Sequence, residues 1–162
     1  MADNIIREIC DCIKNTNGLT FYKLRVDGVC QFDEFLEEVY RVDVTRKRMA
    51  SIIRRMEWFG NKPMPNGTFG YIEGVDSKDI FEFRKDNIRV YVKVVKTIVY
   101  IILGGYKNAQ KKDIQKVKRI NTQLERNNKL IKLTINYGEN RYIKRACILG
   151  CTNSVGNIRV RS

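Results

Sequence analysis

The sequence predicts an α+β fold in which an antiparallel sheet packs against a helical hairpin and a C-terminal helix. Three patterns carry this. Residues 80–84, 88–95 and 98–103 are rich in β-branched and aromatic side chains and are separated by short polar breaks at Asp86-Asn87 and Lys96-Thr97, as in a three-stranded meander. Upstream, Phe32, Phe35, Leu36, Val39 and Tyr40 form one apolar stripe at helical spacing, and Met49, Ile52, Ile53 and Met56 form a second. Downstream, Ile114, Val117, Ile120 and Leu124 form a third. The chain has 162 residues, enough for one decorated domain rather than two.

Taken in order, Ile5, Ile6, Ile9 and Ile13 recur at helical spacing after Asp3 and Asn4, which predicts a short N-terminal helix closed by the loop Asn15-Thr16-Asn17-Gly18. Residues 19–26 alternate like a strand and end at Asp27-Gly28. The helical hairpin follows, its second helix starting near Thr45 and stopping at Gly60. Residues 61–74 hold both prolines and read as a loop. After the meander, Gly104-Gly105 opens a basic loop, and Asp113 is placed to cap the last helix. Residues 129–149 read as a further hairpin. The resulting division is an N-terminal helical extension (1–17), a core domain (18–128) and a basic C-terminal extension (129–162).

Charge is the strongest clue to partners. The chain carries 31 Lys and Arg against 18 Asp and Glu, net +13. Residues 1–80 are nearly neutral, whereas residues 81–132 hold 14 basic and 4 acidic side chains. Solubility alone does not require the sign to segregate, so a polyanion is expected as partner: nucleic acid first, an anionic membrane surface second. No apolar run reaches the roughly 20 residues of a spanning helix, and Asp3, Glu8 and Asp11 interrupt any signal peptide. A soluble, cytoplasmic chain without membrane association is expected. The five cysteines are odd in number and read as reduced thiols, and their spacing matches no zinc ribbon or knuckle, so neither metal nor other cofactor is expected. There is no histidine, which removes every mechanism that depends on imidazole.

The first meander hairpin predicts a candidate site. With Asp86-Asn87 as a two-residue turn, Arg84 faces Arg89, Glu82 faces Tyr91 and Ile80 faces Lys93. One face is then apolar (Phe81, Phe83, Ile88, Val90, Val92, Val94). The other collects Glu82, Arg84, Arg89, Tyr91 and Lys93, a cationic floor expected to lie open to solvent and to be rimmed by Tyr106, Lys107, Lys111 and Lys112. Arginine clamps phosphate through two nitrogens and tyrosine stacks on bases, so this floor suits RNA. An ordinary solvated sheet face is the alternative.

Residues 79–124, DIFEFRKDNIRVYVKVVKTIVYIILGGYKNAQKKDIQKVKRINTQL, resemble the C-terminal core of RelE/HigB-type toxins, small bacterial ribonucleases of toxin–antitoxin modules. The FEFR…IRVYV hairpin, the apolar third strand and GGYKNAQKKDI before the last helix carry the likeness, and the preceding strand and helical hairpin fit the family's β-α-α start. It extends over about residues 18–126. The resemblance implies a RelE-like fold and a type II toxin that cleaves messenger RNA without metal, in many members on the ribosome. It implies a phosphate contact for Arg89 and basic roles for Arg84, Lys107 and Lys111. Ile80 and Glu82 stand where some members have lysines, and Tyr91 and Tyr106 are candidates for the place of the family's late tyrosine. The catalytic set is therefore Arg89, Arg84, Tyr91 and Lys107, with Lys93, Glu82, Tyr106, Lys111 and Lys112 contacting RNA. Glu82 or Tyr91 would serve as base, and Lys93 or Lys107 as base or acid. An acidic antitoxin is the implied protein partner. The rival expectations are a non-catalytic nucleic-acid-binding protein, a ParE-like topoisomerase inhibitor and a degenerate relative of these toxins without surviving activity.

Overall fold

The structure, a computed structural model, describes residues 4–136. Its centre is a six-stranded mixed sheet in the order β1-β2-β6-β5-β4-β3. The strands are β1 (Ile5–Ile9), β2 (Thr20–Val26), β3 (Phe69–Tyr71), β4 (Ile80–Lys85), β5 (Ile88–Val95) and β6 (Ile98–Tyr106). Helices α1 (Gln31–Tyr40) and α2 (Asp43–Trp58) separate β2 from β3, and α3 (Gln110–Asn136) follows β6 after a 3-10 turn. The class is α+β, as expected, but the sheet is mixed where an antiparallel one was expected, because β2 runs parallel to β6. No helix among the described residues is long and apolar enough to cross a membrane.

The meander forms as its alternation demands. Arg84 pairs with Arg89, Glu82 with Tyr91 and Ile80 with Lys93, so the expected register holds at each of these positions. Asp86 and Lys96 open the two turns with positive φ, 52° and 54°, a conformation that Asp tolerates better than most residues. Strand β2 lies parallel to β6, with Phe21 opposite Val99, which places the incoming chain at the meander's flank. The hairpin α1–α2 lies over one face. Thr45 ties its corner, donating to the carbonyls of Val39 at 2.6 Å and Val42 at 2.9 Å.

Three expectations are corrected. The segment beginning at Ile5 is a strand, not a helix: β1 pairs antiparallel with β2, Ile5 against Val26 through Ile9 against Tyr22. The isoleucines fit both periods, but a short isolated helix is marginal, whereas β-branched residues beside an open strand gain a ladder. Arg25 and Glu8 bridge the two strands at 2.8 Å. The proline loop contains a short strand, β3, whose Phe69 stacks on Phe81 with ring centres 5.0 Å apart. Residues 129–136 continue α3 instead of opening a hairpin; the remainder of that expected hairpin, 137–149, lies outside the described residues.

The sheet is covered on both faces. Beneath α1 and α2 lie Phe21, Phe83, Ile88, Val90, Val92, Val99 and Ile101 with Phe32, Phe35, Met49, Ile52 and Met56. On the opposite face Val117, Ile120 and Leu124 of α3 pack with Ile5, Leu24, Ile80, Tyr91, Tyr100, Ile102 and Leu103. A register shift between Tyr91 and Val92, opposite Leu103 and Ile101, leaves Ile102 as the extra residue. That bulge turns the consecutive Ile102 and Leu103 both toward α3, which alternation alone would forbid.

Candidate functional site

The hairpin does bring Glu82, Arg84, Arg89, Tyr91 and Lys93 onto one face, but that face is not open. Helix α3 lies across it, leaving Tyr91 0%, Lys93 3%, Glu82 4% and Arg89 8% exposed. The expected solvent-accessible RNA floor is therefore corrected to an interior polar seam. The physical reason is the apolar stripe of α3. Ile114, Val117, Ile120 and Leu124 need an apolar bed, and the surface around Tyr91, Tyr100 and Leu103 provides it.

Within the seam the charges answer one another. Lys93 Nζ reaches Asp79 at 2.8 Å, Asn121 at 2.8 Å and Glu125 at 3.3 Å, tying β5 to α3. Arg84 Nε donates to Glu82 Oε1 at 2.6 Å, and Gln110 Nε2 donates to Glu82 Oε2 at 3.3 Å. Arg89 Nη1 donates to the carbonyls of Asp86 at 2.7 Å and Ile88 at 2.9 Å, and its Nε lies 3.9 Å from Glu82 without a hydrogen bond. Burial, then the charges of Glu82 and Asp113, push the Tyr91 phenol above its ordinary range, so it is held neutral. Burial likewise raises Asp113. Asp113 does not cap α3, which begins at Gln110; its Oδ2 is buried without a hydrogen-bond partner beside Gly105, where a Cβ would overlap it.

The rim fares differently. Arg84 keeps 29% of its side chain exposed. Lys107, Lys111 and Lys112 are exposed, and Tyr106 is half-buried against Phe35 with ring centres 5.2 Å apart. Asn87, Tyr106, Lys107 and Asn108 line a shallow cleft at the turn end of the sheet.

Sequence reasoning named Lys111 and Lys112 but missed the rest of the outward face of α3. Lys111, Lys112, Lys116, Lys118, Arg119, Arg126 and Lys129 are all exposed there, while the acids of residues 110–129 are Asp113, which is buried, and Glu125, which faces Lys93. At about 100° per residue these seven positions fall within roughly 160° of arc, centred nearly opposite the buried stripe. From Lys111 to Lys129 the row is about 27 Å long at about 1.5 Å per residue. Phasing the basic residues against Val117, Ile120 and Leu124 would have found it. Elsewhere, Arg7 ties β1 to this helix through Asn127 at 3.2 Å and Asn128 at 2.5 Å.

Comparison with protein-family models, curated proteins and solved structures finds no match to this chain.

Proposed function

We propose that this protein binds nucleic acid through the outward face of α3. The observation that supports the reading is the separation of its cations. Arg89 and Lys93, on the sheet face under α3, are buried and bonded within the protein, whereas the cations of α3 from Lys111 to Lys129 stand in one exposed row without an intervening apolar residue. A helix lying in a membrane interface would present apolar side chains beside its cations. The apolar stripe of α3 from Ile114 to Leu124 is already spent on the sheet, which favours a hydrophilic polyanion. A row of about 27 Å runs the length of about eight base pairs measured along a duplex axis at roughly 3.4 Å each. Titration of labelled RNA and DNA oligomers across a range of salt tests this. Binding with a steep salt dependence is expected, and salt-independent binding or none overturns it.

A second reading is RelE-type cleavage of messenger RNA. The run of elements from β2 to α3 is β-α-α-β-β-β-β-α, so the β-α-α start, the meander and the last helix of the resemblance are present with β3 added, and Arg84 with Lys107 and Lys111 remains reachable. In this reading α3 has to leave the sheet, because Arg89 and Tyr91 lie under it. An acidic antitoxin segment would compete for the same cations. Messenger RNA cut in a translation extract, and spared by Lys107→Ala with Lys111→Ala, is the outcome this reading requires. Intact message bound by the protein leaves the first reading alone.

A further inference from the structure

Away from α3, the end of β1 holds a pair of thiols. Cys10 Sγ and Cys12 Sγ are 3.1 Å apart in hydrogen-bonding contact. A tight turn fixes them: Cys10 N donates to the Phe21 carbonyl at 2.9 Å, and Ile13 N donates back to the Cys10 carbonyl at 3.1 Å. Cys10 is buried in the core beneath α1, and Cys12 is exposed. One sulfur can thus be reached from solvent while the other waits directly behind it. Among the described residues no group of three or more His, Cys, Asp or Glu side chains is arranged to hold a metal.

We propose that Cys10 and Cys12 form a redox-active dithiol that accepts oxidising equivalents from low-molecular-weight disulfides such as oxidised glutathione. The Cys12 thiolate attacks one sulfur of the oxidant. A protein–glutathione disulfide forms, and the first glutathione leaves as its thiolate. Cys10 gives up its proton to that departing thiolate or to water, and its sulfur attacks Cys12 Sγ. The Cys10–Cys12 bond forms, and the second glutathione leaves. Two protein thiols are oxidised, and one disulfide is reduced to two thiols.

The roles follow from the surroundings. The hydrogen bond from Cys10 lowers the Cys12 thiol to about 7, against desolvation and with help from its own backbone and the Lys23 ammonium; Asp33 opposes. The same contact, with burial, raises Cys10. Burial, then the charges of Cys12 and Cys10, raise Tyr40. At neutral pH about half of Cys12 is thiolate, against about one per cent at the ordinary value of 9.0. The lower nucleophilicity of the more acidic thiol, with a Brønsted slope of about 0.4–0.5, leaves a net advantage of roughly five- to eightfold.

Trypsin cleavage after Arg7 and Lys14 isolates both cysteines in one peptide, residues 8–14, free of the other three. The reduced, folded full-length chain is exposed to oxidised glutathione, alkylated, digested and weighed. The expected product is peptide 8–14 two hydrogens lighter and unalkylated. Its formation rate should rise to half-maximum near pH 7 and lose its roughly fivefold lead over an ordinary thiol in denaturant. Cys10→Ser should trap a stable glutathione adduct on Cys12. Recovery of peptide 8–14 doubly alkylated, a lasting glutathione adduct in the unsubstituted chain, or a Cys10–Cys30 link would each overturn the proposal, and none depends on a variant folding.

Discussion

Replacing Lys112, Lys116 and Arg119 together with glutamine tests whether the outer face of α3 binds phosphate. The three are exposed neighbours, at about 80° to 140° on the helical wheel, and none has a role in the buried seam. Each phosphate neutralised on duplex releases counterion equivalent to a slope of about 0.9 in log K against log salt, and on a single strand about 0.7. If five to seven of the row's cations engage duplex, the slope is about −4 to −6. Removing three should flatten it by about 2.7 for duplex or 2.1 for a single strand, which at about 0.1 M salt is an affinity loss near 500-fold or 100-fold. Fluorescence anisotropy of labelled oligomers at several salt concentrations measures both, and the size of the change distinguishes the two substrates. Because the positions are exposed, stability should move by less than about 0.5 kcal/mol. An unchanged slope, or a loss of binding that only follows a loss of folding, refutes the assignment of this face.

The packing gives further expectations. Leu124→Ala removes a fully buried side chain between α3 and the sheet and should cost about 2–5 kcal/mol in denaturant unfolding; a loss below about 0.5 kcal/mol would mean that α3 does not rest on the sheet. Gly104→Ala places a methyl into the ring of Phe35 and should cost about 1–3 kcal/mol, so a variant melting with the parent contradicts that close approach. Asp113→Asn should stabilise the protein at neutral pH. Burial raises the carboxyl's folded pKa, so its contribution is full below the ordinary 3.8 and is lost as pH climbs through the folded value. The gain from the amide should therefore shrink toward zero in acid, and a pH-independent difference would count against the buried carboxyl as its source.

What could be read from the chain was what local periodicity and turn chemistry control. Phe81, Phe83, Val90 and Val92 alternate with polar residues, so a slip by one would have mixed the faces, and the register Arg84–Arg89 was fixed by that alone. The stripes through Phe32–Val39 and Met49–Met56 could belong only to helices. The first strand was not legible because Ile5, Ile6, Ile9 and Ile13 satisfy a helix as well as a strand, and the deciding partner, β2, is remote from the local pattern. Strand β3 is three residues long and carries too little pattern to register.

The error over the candidate floor has a different origin. Arg, Tyr and Lys on a strand were read as a solvent face because buried charge is costly. Yet Lys93 meets Asp79 and Glu125, partners distant in sequence, and Arg84 meets Glu82 two residues away on its own strand, so the cost is offset. The stripe on α3 was itself a warning. An amphipathic helix with an apolar stripe such as Ile114, Val117, Ile120 and Leu124 must dock, and the opposite face of the sheet was already claimed by α1 and α2. Counting helices against sheet faces would have covered the floor and turned the Lys and Arg of α3 outward. The positive field of residues 111–129 then belongs to the helix surface, and the buried Lys93 acts as a fastener between that helix and the sheet.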